Sequence, residues 1–437
     1  MRIQQLGILV AAMSVLAACG TPGPADAGAG GGTGGANGGG TGGSGGGVTG
    51  GGGSTGGGGA TGGGGVVMPT TQALLSLSSG TDFSCAVLTD KTIKCWGAGG
   101  SGRLGNAANN EQRRPVAVMG ITTAASVSCG YHHTCALLDD STVRCWGNND
   151  YGQLGNGITG TNSNVPVTVM GLSNVRSIHA GVNSTCALLM DGTVSCWGRG
   201  IELGDATLLV NSNVPRAVPN LMNVSQLSVA STPGNAEVHV CGVRTDNTAF
   251  CWGSGLEGQL GQSDVSAEQY SDRRVPTPVF GITDAIQISA GGTHACARRT
   301  SGLSCWGFGQ QVGNGSTSRV VIPAMVTTPM PVNNIEAGGD FTLATAASGA
   351  MFSWGYNGRG QCGDNLMTFP PATPVNLTPV AAVVQNATIL AAGDQHACAY
   401  VATTQVTWCW GDNSSGALAW EIDGGETRTA VPGFVRW

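Results

Sequence analysis

From about residue 70 onward, apolar and polar residues alternate in short runs, each closed by glycine, aspartate or asparagine. In one stretch Val127-Ser128-Cys129 leads to Gly130, His133-Thr134-Cys135-Ala136-Leu137-Leu138 leads to the turn Asp139-Asp140, and Val143-Arg144-Cys145-Trp146 leads to Gly147. Val165-Pro166-Val167-Thr168-Val169 then closes the unit. Alternation with a period of two over segments this short predicts β-strands, and the polar residues between them predict tight turns. The unit returns as Ile178-His179-Ala180-Gly181, Thr185-Cys186-Ala187-Leu188 and Val194-Ser195-Cys196-Trp197-Gly198.

Its most regular mark is Cys-Trp-Gly, which starts at Cys95, Cys145, Cys196, Cys251, Cys305 and Cys409, with Ser353-Trp354-Gly355 filling the gap in the series. The seven tryptophans are spaced by 50, 51, 55, 54, 48 and 56 residues. A Gly-Gln-Leu-Gly element follows at 152–155 and 258–261, and in altered form at 102–105, 310–313, 360–363 and 416–419. Four short strands cannot bury a face alone, so neighbouring units must stack. The expected fold is all-β, a seven-bladed propeller. Ala430-Val431-Pro432-Gly433-Phe434-Val435 resembles the end of a unit such as Ala117-Val118-Met119-Gly120-Ile121-Thr122, and Leu75-Ser76-Leu77-Ser78-Ser79-Gly80 is what should follow it. The two ends of the repeat region are therefore expected to meet.

The combined pattern of Ala-Gly-x-x-His, Cys-Trp-Gly and Gly-Gln-Leu-Gly, recurring in register over residues 70–437, resembles the RCC1 (regulator of chromosome condensation) repeat. That resemblance implies a ring of seven blades. The Tyr/Ser-Trp-Gly usual in the family survives here as Ser353-Trp354-Gly355, and a cysteine precedes the other six tryptophans.

The first residues bear on compartment. Met1-Arg2 is a short basic start, an apolar run covers 6–15, and Leu16-Ala17-Ala18-Cys19 ends it. This reads as a signal peptide and not as a membrane span. Leu-Ala-Ala-Cys looks like a bacterial lipobox, which makes Cys19 the lipidated first residue of the mature chain. Gly20 follows, so the outer membrane is the expected destination. Residues 28–65 contain 26 glycines among 38 and are read as a disordered Gly-rich tether, with an r.m.s. reach of about 35 Å. The domains expected are a lipoprotein signal peptide at 1–18, a lipidated linker at 19–69 and the propeller at 70–437. Chance Gly-x-Gly-x-x-Gly matches in the tether lack the flanking strand and helix their chemistry needs.

Fifteen cysteines in an exported chain read as disulfides. Twelve form local pairs that flank a hairpin turn: Cys85/Cys95, Cys135/Cys145, Cys186/Cys196, Cys241/Cys251, Cys296/Cys305 and Cys398/Cys409. Opposed residues on antiparallel strands lie within disulfide reach, and each short loop closed adds roughly 2–3 kcal/mol. Zinc is the rival reading, but the sequence has no Cys-x-x-Cys. Cys129, aligned with Ala180, Ala230, Ala290 and Ala392, and Cys362, aligned with Leu104, Leu154 and Leu260, read as buried fillers.

His133, His239, His294 and His396 occupy one repeat position. Phe83, Ser184 and Phe341 take it in other blades, so packing explains it better than metal ligation, and no metal or cofactor is expected. Net charge of −6 with 10% charged residues argues against nucleic acid. Arg113-Arg114 and Arg273-Arg274 each precede a proline strand and read as structural. Asp82, Asp340 and Asp394 fall on loops of blades 1, 6 and 7, which become neighbours when the ring closes, and predict an acidic arc. A longer loop in blade 4, Thr232-Pro233-Gly234-Asn235-Ala236-Glu237, adds Asn235 and Glu237 as candidate contacts.

The expected function is a surface-anchored, non-catalytic binding scaffold for a protein or glycan partner. The chain is expected to be a monomer, held to the membrane by its lipid alone and facing the periplasm or the exterior. The alternatives are a guanine-nucleotide-exchange-like regulator, the activity of the founding family member, or a propeller hydrolase or lyase. Export separates the chain from a GTPase, and scattered acids show no converging catalytic pair.

Overall fold

The computed structural model describes residues 71–437 apart from 208–209, 232–237, 263–270, 367–373 and 421–426. These residues build seven four-stranded antiparallel sheets, each from four consecutive strands. Blade 1 consists of Leu74–Ser79, Phe83–Leu88, Ile93–Gly97 and Gln112–Ala117, and blade 7 of Ile389–Ala392, His396–Val401, Val406–Asp412 and Arg428–Phe434. The first strand of every sheet touches the first strands of both neighbouring sheets, and the series closes from blade 7 onto blade 1. First strands therefore surround the axis, and fourth strands form the rim. Among the described residues, helix is confined to short turns such as Gly309–Val312, and no helix is long and apolar enough to cross a membrane.

The strands are short because their stability comes from stacking. In blades 1 and 2 every residue of the second strand is buried, since each sheet is covered on both faces by its neighbours. The seven repeat tryptophans are the largest fully buried side chains. Six donate their indole N–H to a carbonyl of the preceding blade. Trp146 bonds Arg103 O, Trp197 bonds Gln153 O and Trp96 bonds Ala417 O, each at 2.9 Å. The Gly-Gln-Leu-Gly element supplies both that carbonyl and a glycine against the ring. A Cβ on Gly105 would come within 2.7 Å of Trp146 Nε1, and the backbone there is left-handed at φ 65°.

All six expected disulfides form, joining residues opposed across the second and third strands at Cα separations of 4.0–4.1 Å. In blade 6 Leu343 faces Ser353 in that register, and the Ser353 hydroxyl donates to Cys362 O at 2.7 Å. Cys129 and Cys362 are buried thiols, and burial pushes both up to about 12.

The ends meet as expected: Gln72 N–H donates to Gln405 O at 2.9 Å, and Trp437 sits edge-on to Trp96 at 5.6 Å. Two registers differ from the sequence alignment. Phe434 opposes Trp408 as Ala117 opposes Lys94, so Ala430-Val431-Pro432 lies within the fourth strand, where blade 1 has Arg113-Arg114-Pro115, and not beyond it. Val229, not Ala230, is the counterpart of Cys129, because Val229 pairs with Val240 as Cys129 pairs with Thr134.

Candidate functional site

Chemistry gathers at the ring end that carries the loops from first to second strands. In blades 1 and 6 these loops are Gly80-Thr81-Asp82 and Gly338-Gly339-Asp340, and in blade 7 Gly393-Asp394-Gln395. Asp82 and Asp340 share a register: their carbonyls accept from Ala98 N–H and Tyr356 N–H at 2.9 and 2.8 Å. Asp394 stands one residue earlier, because Gln395 O takes the equivalent bond, from Asp412 N–H at 2.8 Å. Its carboxylate leans over blade 6, where a Cβ on Gly339 would lie 2.2 Å from Asp394 Oδ1. Glycine at 339 thus makes room for an acid from the next blade.

The structure brings the three aspartates into one electrostatic group and adds Asp412. Burial raises Asp82, with Arg103 opposing and Asp412 reinforcing the shift. Burial raises Asp340 as well, although Gln311 Nε2 donates to its Oδ1 at 2.6 Å. Asp394 is pushed up to about 7, first by burial and then by repulsion from Asp340, Asp82 and Asp412. Its carboxyl therefore keeps its proton to higher pH than a free aspartate. Arg103 is largely spoken for, since its Nε donates to Gly100 O at 2.9 Å and its guanidinium lies 5.7 Å over the Phe83 ring. Arg359 lies 3.5 Å from Asp412. Carboxylates so placed repel one another and gain from a cation brought from outside.

Cys19, Asn235 and Glu237 lie outside the described residues. The twelve cysteines of the disulfides are structural. The four repeat histidines are buried and point across the seams: His133, His294 and His396 bond the hydroxyls of Thr185, Thr342 and Ser84 in the next blade at 2.9, 2.7 and 2.9 Å. Among the described residues no group of three His, Cys, Asp or Glu could hold a metal ion. Asp412 was missed in the sequence, although its place directly after Trp410-Gly411 sets it beside the loop of Asp394. Glu336 was missed too. It shares a first-strand register with Ser78, Ser128 and His179, each opposite the first cysteine position of its blade, and burial raises it to about 7.

A ring of seven consecutive four-stranded sheets, locked by cross-seam tryptophans, defines a seven-bladed repeat propeller. Family models of the Regulator of chromosome condensation (RCC1) repeat match at 75–103, 124–153 and 332–361, and at 95–137, 140–188 and 246–298. The chain is a seven-bladed propeller of RCC1 repeats. It is 28% identical to the Ultraviolet-B receptor UVR8 of Arabidopsis thaliana over 81% of this chain and 80% of that one. It is 26% identical to the human E3 ubiquitin-protein ligase HERC2 over 75% of this chain but 7% of that much longer protein. Prp20p from Saccharomyces cerevisiae, whose structure was described with its binding to Gsp1p and histones, superposes with a TM-score of 0.68 at 23% identity, covering 84% of this chain and 87% of that one. Human WBSCR16 superposes at 0.64 and 21%, covering 76% and 87%. The fold is that of regulators and binding proteins, and six buried disulfides belong to an oxidising environment.

Proposed function

We propose that this chain is a non-catalytic binding scaffold, held at the cell envelope by a lipid on Cys19, whose acidic mouth receives a basic segment of a protein partner. One observation carries the reading. Carboxylates from three consecutive blades, Asp340, Asp394 and Asp82, converge at one end of the ring, where burial and mutual repulsion disfavour the charge on Asp394. A lysine or arginine from a partner would relieve that repulsion, and a rigid ring loses little entropy on engaging it. The RCC1-repeat propellers it resembles support the binding role, since Prp20p is described with protein partners.

The test is capture of envelope proteins by the full chain, repeated with Asp82→Asn, Asp340→Asn and Asp394→Asn combined. The expected result is loss of a basic partner at a melting temperature no lower than wild type, with capture of the wild type weakening as salt rises. Cys19→Ser should release the same binding activity into the soluble fraction. Undiminished capture by the triple variant would remove the mouth as the site. Turnover abolished by one carboxylate change would make the protein an enzyme.

A further inference from the structure

The residue before the cysteine of Cys-Trp-Gly varies from blade to blade: Lys94, Arg144, Ser195, Phe250, Ser304, Phe352 and Trp408. Three of these are aromatic, and two of the three are sealed. Phe352 is 4% exposed and Phe250 is fully buried. Phe250 is closed by its own blade, because the Arg244 guanidinium lies 4.7 Å over its ring and Gly242 lies beneath it. Blade 7 has Val401 in the place of Arg244, at the end of the second strand. There the larger ring, Trp408, is left half-buried in the wall of a cavity of about 360 Å³.

That cavity lies between the hairpin at 402–405 and the connection at 383–386, at the end of the ring opposite the acidic mouth. Val383, Val401, Val431 and Pro432 line it together with the indole, and among the described residues no charged side chain does. Its rim carries neutral hydrogen-bonding groups. Gln385 Nε2 donates to Ala382 O at 2.6 Å, which leaves its side-chain oxygen as an acceptor. Asn386 and Thr403 are exposed beside it. Six of the seven repeat tryptophans donate their N–H within the fold, whereas the Trp408 N–H has no partner among the described residues.

We propose that this cavity is a binding site for a neutral saccharide. An indole face carries negative quadrupolar charge and accepts the polarised axial C–H bonds of a pyranose, while amide, hydroxyl and indole N–H at the rim match its hydroxyls. A cationic ligand would find no carboxylate here. A peptide side chain would leave the rim groups unused, which is costly once they are desolvated. The volume falls in the range of small-ligand sites. The proposal rests on reading the ring as a binding scaffold, and because the two sites lie at opposite ends, each can fail without the other.

The experiment is saturation-transfer NMR on the full chain with a panel of neutral mono- and disaccharides, followed by titration of the strongest. Transfer is expected to ring C–H protons of at least one sugar. Val401→Arg, which rebuilds the cap that Arg244 forms on Phe250, should weaken binding at least tenfold while the melting temperature holds, and Trp408→Ala should abolish it. Asp394→Asn should leave it unchanged. Silence across the panel at millimolar sugar, or binding indifferent to Val401→Arg, would overturn the proposal. So would a proline-rich peptide or tetramethylammonium binding where the sugars do not.

Discussion

Blades 2 and 4 present the same buried imidazole to the blade that follows, and the two seams answer it differently. His133 Nε2 lies 2.9 Å from Thr185 Oγ1, and the Thr185 hydroxyl donates to Gln153 O at 2.9 Å. A hydroxyl that donates its one proton there must accept from the imidazole, so His133 carries its proton on Nε2. His239 faces blade 5, where the register of Thr185 is held by Ala295. Neither nitrogen of His239 has a partner among the described residues. Three other seams are matched: His294 meets Thr342, His396 meets Ser84, and Phe341 precedes a blade that offers Ala397. The ring thus tolerates one unpaired imidazole because stacking of the sheets, and not the cross-seam bond, holds the blades together.

The largest effect expected from these seams is on acid stability. Burial lowers His133 and His239 to about 3 and His294 and His396 to about 4. A histidine depressed in the fold contributes stability that is complete above its unfolded value of 6.5 and is lost as pH falls toward the folded value. Each excluded proton removes roughly 3 kcal/mol by pH 4, enough in sum to unfold the ring. Asp394 and Glu336 act in the opposite sense: raised to about 7 from 3.8 and 4.5, they contribute stability that is complete below their unfolded values and lost as pH rises through 7. Urea melts from pH 4 to 8 should therefore peak near neutrality. Asp394→Asn with Glu336→Gln should flatten the alkaline limb and steepen the acid one, where the two acids oppose the histidines. His133→Phe and His239→Phe should shrink the acid limb equally, since burial and not the hydroxyl sets both. Stability that rises steadily to pH 8 in the wild type would contradict this.

Breaking the matched seam should cost less. Thr185→Ala leaves His133 as His239 already is and orphans a buried group, at a cost of about 1–3 kcal/mol. Thermal melts at pH 7 should show the loss, and a melting temperature equal to wild type would mean that the bond in blade 2 is idle.

The repeat, its seven copies, the six disulfides and the closing of the ring were legible because each depends on residues within one unit or on the period itself. The seam pairs were not. His133 and Thr185 are both plain in the sequence, but their meeting depends on the rotation between blades, which the period does not state. The acidic mouth was half legible. Asp82, Asp340 and Asp394 were found as an arc, while the one-residue offset of Asp394 and its reach over Gly339 follow from a loop path that alternation does not encode. The cavity at Trp408 was invisible, since only the comparison of Val401 with Arg244 in three dimensions shows that a ring has lost its cap.

The smallest effect is also the one that speaks most directly to the comparison of seams. Ala295→Thr should give blade 5 the hydroxyl that blade 3 has. A threonine there would find the same two neighbours, because Gln259 O already accepts from Trp306 Nε1 at 2.8 Å, just as Gln153 O accepts from both Trp197 and Thr185. Donating to Gln259 O, the new hydroxyl would accept from His239 Nε2–H and fix its tautomer. The expected gain is about 1 kcal/mol, the net worth of one hydrogen bond, read as a higher melting temperature at pH 7. An imidazole N–H resonance newly protected from exchange should accompany it. A lower melting temperature would mean that blade 5 lacks room for the extra atoms and that Ala295 is set by packing. A higher one without the protected N–H would place the gain elsewhere than the seam.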